Sequence, residues 1–170
     1  AITEAGVTVE KILLTHGHID HAGGADELRD ALGVKIEGPH KDDKFLLDSL
    51  PEAGVRFGMP GARAVVPDRW LDDGDEVSVG ELAFKIITAP GHSPGSVVFF
   101  NAENRFALMG DVLFQGSIGR TDLPGGDHPT LLRSIREKVL PLGDDVVFLP
   151  GHGNASRIGE ERLNNPFLND

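Results

Sequence analysis

The stretch LLTHGHIDHAGG, residues 13–24, sets three histidines and an aspartate within six consecutive positions: His16, His18, Asp20 and His21. It continues the apolar run VEKILL, residues 9–14, which reads as a buried strand. Such a cluster is either a polar turn whose imidazoles face solvent or a metal nest held rigid by the strand before it. The rest of the chain decides between them. KILLT leads into His16, FKIITAPG into His92, RFALMG into Asp111 and VVFLPG into His152. Four strands thus each deliver a histidine or an aspartate just past their last apolar residue. Residues at strand ends can converge on one edge of a sheet while the scaffold stays stiff. Gly91, Gly110 and Gly151 precede three of these arrivals and let the backbone turn without a Cβ clash.

The count carries the argument further. His16, His18, Asp20, His21, His92, Asp111 and His152 are seven candidate ligands, too many for one tetrahedral zinc. Two metals sharing Asp111 would use them all, with His16, His18 and His92 on one and Asp20, His21 and His152 on the other. The chain has no cysteine, so any metal is held by nitrogen and oxygen, and no disulfide framework exists. Two divalent ions are expected, Zn2+ first, with Fe or Mn as alternatives.

Composition bounds the rest. The 170 residues, 39% hydrophobic, suit one domain over residues 1–170. A domain of this size buries roughly 68–70% of its unfolded surface and needs no staples. A formal charge of −11 argues against a nucleic-acid partner, which usually meets a basic stripe. One Trp and no Tyr leave few platforms for stacking bases. No run of about 18 apolar residues appears, so no membrane span is expected. No signal peptide is visible, and a cytoplasmic location is expected.

Amphipathic helices alternate with the strands, which makes the fold α/β. GGADELRDAL spaces Ala25, Leu28, Ala31 and Leu32 on one helical face, with Gly33 as its stop. VKIEG is a short strand, KDDKFLLDSL a helix ended by Pro51, and Pro51 to Asp68 mostly loop. ELAFKIITA alternates Leu82, Phe84 and Ile86 as a half-buried strand. SVVFFNAENRFALMG reads as two strands about the turn Asn101–Asn104, TLLRSIREKVL as a helix, and DVVFLPG as a last strand. Several of these strands are too apolar to have a wet face.

THGHIDH, PGHSPGS, GDVLF and PGHG, in this order, resemble the metallo-β-lactamase superfamily. More narrowly, the chain resembles its glyoxalase II-like (hydroxyacylglutathione hydrolase) branch, also through GSIGRTDLPGGD and the terminal ERLNNPFL. The resemblance implies an αββα sandwich and the same division of ligands between two metals, with Asp111 bridging. It implies that Asp20 and Asp111 are the catalytic carboxylates. Family members begin with several strands before the first motif, whereas only Ala1 to Glu10 stand there in this chain. Either the sequence is truncated at this end, or the first sheet is incomplete and presents an open edge. An end at Asp170 fits short single-domain relatives rather than those with a helical glutathione-gripping extension.

The expected activity is hydrolysis of a small-molecule thioester, such as a hydroxyacyl-glutathione, by a hydroxide held between two metals. A thiolate with a free pKa of about 8.5 leaves without strong acid help, which suits a site showing no general acid. GRTD also resembles the persulfide dioxygenases of the superfamily, which would use one iron on His16, His92 and Asp111. An inactive metal-binding domain is the third reading. Arg120 is the candidate for an anionic substrate group, with a salt bridge to Asp122 as the alternative. His128, beside Asp127, reads as a residue of a helix-capping region, and Trp70 as a packing anchor.

Overall fold

The computed structural model describes residues 2–169. A short helix α1 (Ile2–Ala5) is followed by strand β1 (Lys11–Leu13), helices α2 (Ile19–Ala22) and α3 (Ala25–Leu32), strand β2 (Lys35–Glu37), and helices α4 (Lys44–Asp48) and α5 (Leu50–Arg56). Strands β3 (Glu76–Val79), β4 (Leu82–Thr88), β5 (Val97–Asn101) and β6 (Phe106–Gly110) come next, then the short pair β7 (Leu113–Phe114) and β8 (Ser117–Ile118). Helix α6 (His128–Ser134), strands β9 (Val147–Pro150) and β10 (Ser156–Arg157) and helix α7 (Ile158–Asn164) complete the chain.

Period-2 alternation builds the layers. On β4 and β5, Phe84, Ile86, Val97 and Phe99 enter one core, and Leu13 of β1 packs against it. The alternate residues Ile87, Val98 and Phe100 enter a second core with Leu131, Ile135 and Ile158 from the α6 and α7 segments. The far face of β1 and β2 buries Leu14 and Ile36 against Ala22, Ala25, Leu47 and Leu50. The order is therefore helices, a two-stranded parallel sheet, a six-stranded sheet and helices, the expected αββα sandwich. β5 is buried along its whole length, as its apolar run requires.

Strand direction then places the site. β4 and β6 each pair antiparallel with β5, so they run the same way, and β6 pairs parallel with β9. All three C-terminal ends open on one edge of the large sheet. The loop after β1 is tied to that edge because Thr15 O accepts the Val97 amide at 2.8 Å.

The structure corrects several local readings. β1 is three residues long rather than the six of 9–14. Pro51 does not end a helix; it occupies the first turn of α5, where its missing N–H costs nothing, and part of the expected loop is helical. α3 ends at Gly33, in the left-handed conformation, as expected. Its apolar face is not all core, however: Leu28 is 41% exposed, whereas Asp26 is buried between Arg29 and Arg63. Among the described residues, β1 pairs with β2 alone. Ile12, Leu13, Leu28 and Ala31 line an open groove beside it, of about 530 Å³. No helix among the described residues is long and apolar enough to cross a membrane.

Candidate metal centre

The four strand ends deliver their residues to one place. His16 and His18 lie in the loop between β1 and α2, and Asp20 and His21 in α2 itself. His92 follows β4, Asp111 follows β6 directly, and His152 lies two residues beyond β9. All seven sequence-predicted ligands come together. One ligand atom each from His16, His18 and His92 lies within 4.8 Å of the others, and the same holds for Asp20, His21 and His152. Asp111 lies between the groups: Oδ1 is 3.4 Å from His21 Nε2, while Oδ2 is 3.6 Å from His92 Nε2 and 3.5 Å from His152 Nε2. Gly91 and Gly110 take positive φ at the turns into His92 and Asp111.

The donor set fits metal ions. His92 Nδ1 lies 2.8 Å from the Arg120 carbonyl, which can only accept, so Nδ1 carries the proton and Nε2 presents a lone pair. That lone pair stands 2.9 Å from His18 Nδ1, and His21 Nε2 stands 3.1 Å from His152 Nε2. Tetrahedral ligands at about 2.0–2.1 Å from one ion stand about 3.3 Å apart, a few tenths of an ångström beyond these hydrogen-bonded contacts, so a small outward shift of each pair would admit a cation. Thr15 Oγ1 lies 3.0 Å from His16 Nδ1. His16 Nε2 and Asp111 Oδ1 are buried with no hydrogen-bond partner among the described residues, an arrangement that is costly unless a ligand meets them.

Proton affinities follow the same geometry. Burial, together with the neighbouring imidazoles, lowers the pKa of His16 well below the usual histidine value. Burial and the adjacent His92 bring His18 down to about 4. Burial also pulls on His21, but the Asp111 and Asp20 carboxylates outweigh it and raise its pKa. Asp111 is held below the usual carboxylate range because His21, His92 and His152 outweigh the effect of its burial.

Other expectations find their places. The Arg120 side chain is exposed and makes a bidentate pair with Asp122, at 2.7 and 2.6 Å. Sequence reasoning singled out its guanidinium, yet the structure also employs its carbonyl, on His92. Asp127 caps α6 by accepting the Thr130 amide, with His128 as the first helical residue. Trp70 packs against the core between α2–α5 and the small sheet.

The residue that sequence reasoning missed is Asp43. It stands at the N-cap of α4, where an aspartate in KDDK looks like an ordinary cap. Its carboxylate makes no cap, however. It accepts from Gly17 N, Ser93 Oγ and Gly95 N, in the loops that carry His16, His18 and His92. The Phe114 ring lies 6.4 Å from that of His152.

Comparison with known proteins agrees with this geometry. A family model described as the metallo-beta-lactamase superfamily matches residues 2–152. The chain is 48% identical over 169 residues to hydroxyacylglutathione hydrolase GloC of Haemophilus influenzae, covering 99% of this chain and 80% of that protein. It is similar to the solved structure of BLEG-1 B3 metallo-beta-lactamase at 38% identity and a TM-score of 0.89, covering 99% of this chain and 81% of that one. It is equally similar in fold to TTHA1623 in a di-iron-bound form, at 35% identity and a TM-score of 0.89, covering 98% and 81%.

Proposed function

The chain belongs to the metallo-beta-lactamase superfamily as a metallo-hydrolase, and on that premise we propose that it cleaves a thioester of the hydroxyacyl-glutathione class at a two-metal centre. The observation that carries this reading is two of the three ligand groups among the described residues, His16–His18–His92 and Asp20–His21–His152, with Asp111, which groups with His16 and His21 in the third, within 3.6 Å of a member of each. When bound, two divalent ions polarise a carbonyl and ionise a water near neutral pH. His16, His18 and His92 would hold one ion, Asp20, His21 and His152 the other, and Asp111 both. Zn2+ suits the nitrogen and oxygen donors, and the di-iron form of TTHA1623 keeps iron as an alternative.

The chain's own groups point to a good leaving group. Every imidazole and carboxylate at the centre is committed to a ligand position, so none is left to protonate a departing amine. A thiolate needs no such help. Asp20 and Asp111 contribute the negative charge that keeps both ions in place. Arg120 lies on the loop whose carbonyl orients His92, and it would exchange Asp122 for a distal carboxylate of the substrate. The identity to a protein named hydroxyacylglutathione hydrolase supports the same substrate class.

A dioxygenase would use only His16, His92 and Asp111. It would leave His18, Asp20, His21 and His152 to support the ligands or bind water, whereas Asp20, His21 and His152 gather within 4.8 Å of one another as a ligand group does. The test is thiol release from a hydroxyacyl-glutathione thioester by protein loaded with Zn2+. Turnover is expected to vanish on chelation and return on adding the ion back. No release by the fully loaded protein would overturn the proposal.

A further inference from the structure

Asp43 is fully buried, and its carboxylate is saturated by donors from two loops that different sheets supply. Oδ2 accepts the Gly17 amide at 2.7 Å and the Ser93 hydroxyl at 2.8 Å; Oδ1 accepts the Gly95 amide at 2.6 Å. Gly17 separates His16 from His18 after β1 of the small sheet. Ser93 and Gly95 follow His92 after β4 of the large one. The backbone packing is an independent sign of the same junction. A Cβ on Gly17 would lie 3.4 Å from Asp43 Cβ and 2.8 Å from Leu46 Cβ; one on Gly95 would lie 2.7 Å from Asp43 Cβ and 2.6 Å from Asp43 N. Both loops therefore approach α4 more closely than any side chain at those positions would allow. The Gly95 carbonyl also accepts the His40 amide at 3.1 Å, which fixes the same contact from the other side.

We propose that Asp43 is a positioning residue that clamps the His16–His18 loop to the His92 loop and so sets how tightly the three-histidine group holds its metal. The inference rests on reading that group as a metal site. Asp43 touches none of the three imidazoles. It acts through two amides and one hydroxyl, and only a carboxylate accepts all three, because an asparagine would turn its NH2 toward an N–H or O–H donor. Partners of this kind typically tune metal affinity by about 10–100-fold.

The experiment is a Zn2+ titration of metal-free protein against a chromophoric chelator, resolving the two dissociation constants, for wild type, Asp43→Asn, Ser93→Ala, His92→Ala and Glu161→Gln. His92→Ala identifies which constant belongs to the three-histidine group. Glu161→Gln is the matched control: its carboxylate is likewise buried and accepts from Gly116 N, Ser156 Oγ and Asn165 Nδ2, but no His16, His18 or His92 loop is tied to it. The expected result is that Asp43→Asn weakens the ion lost in His92→Ala by about 10–100-fold. The other ion should stay within about threefold, and Glu161→Gln should leave the three-histidine ion unchanged. Ser93→Ala, which removes one donor of three, should give a smaller loss at the same ion; it carries the test if Asp43→Asn does not fold. Wild-type affinity in Asp43→Asn, or in Ser93→Ala if that variant must stand in, would overturn the proposal. So would equal weakening of both ions, the sign of a general structural role. If the wild type binds no ion that His92→Ala removes, the reading of the three histidines as a metal site fails instead.

Discussion

Replacing Gly151 with alanine is a one-methyl perturbation aimed at the middle of the centre. Gly151 precedes His152, and its amide donates to Gly110 O at 2.8 Å, so its backbone is pinned to the end of β6. Its φ is not among the positive values, so alanine meets no backbone strain there. The cost falls on two side chains. The new Cβ would stand 2.7 Å from His21 Cε1, about 0.7 Å inside the 3.4 Å at which ordinary contact begins, and closer still to Asp111 Oδ1. Both neighbours are proposed ligands, and one of them is the shared ligand. Functional constellations tolerate about 0.5 Å of displacement, and a 1 Å misplacement can cost about 10²-fold in rate. Gly151→Ala is therefore expected to lower kcat/KM by about 10²-fold, near 2.7 kcal/mol of transition-state stabilisation, and to reduce metal content below two. Gly151 is exposed, so stability should change by no more than about 0.5 kcal/mol, a Tm shift of about 1–2 °C. The assays are steady-state thioester hydrolysis, metal analysis and thermal unfolding of the metal-free protein. Wild-type kcat/KM with two ions retained would refute the claim that Asp111 and His21 hold the reacting geometry.

Asp111→Ala should reduce bound metal from two per chain to one or fewer and abolish turnover; elemental analysis with two ions still present would remove Asp111 from the shared position. Arg120→Ala should raise KM for an anionic thioester with kcat nearly level. Its pair with Asp122 is exposed and adds little stability, so an unchanged Tm is expected, and a lowered Tm with unchanged kinetics would assign Arg120 to the loop alone. Protons compete with metal at each imidazole, and the raised pKa of His21 means that it protonates at higher pH than His18, held down at about 4. Stepwise dialysis from about pH 7 to about pH 4.5 should empty the Asp20–His21–His152 group first. Simultaneous loss of both ions would contradict the unequal affinities.

The centre was legible because its ligands are placed by strand ends, and strand ends are written as apolar runs followed by glycine and a polar residue. His92, Asp111 and His152 need only the direction of β4, β6 and β9 to meet. Asp43 was not legible for the opposite reason. Its three partners come from positions 26, 50 and 52 residues away, and nothing local distinguishes it from a capping aspartate. Pro51 was misjudged because proline stops one helix and starts the next with equal ease, and only tertiary packing of Leu50 and Gly54 shows which. Leu28 sits at helical spacing with Ala25, yet periodicity says which residues share a face, not whether a neighbour covers it. β10 is two residues long, too short for alternation to register before its pairing with β9 is seen.

The most direct test of the account follows metal stoichiometry and oxygen together. Protein of known metal content is given a hydroxyacyl-glutathione thioester, and separately glutathione persulfide, in an oxygen-electrode cell with thiol release monitored. Two ions per chain, thiol released from the thioester and no oxygen uptake with either compound is the predicted result. A single bound iron with oxygen consumed on addition of the persulfide would contradict it.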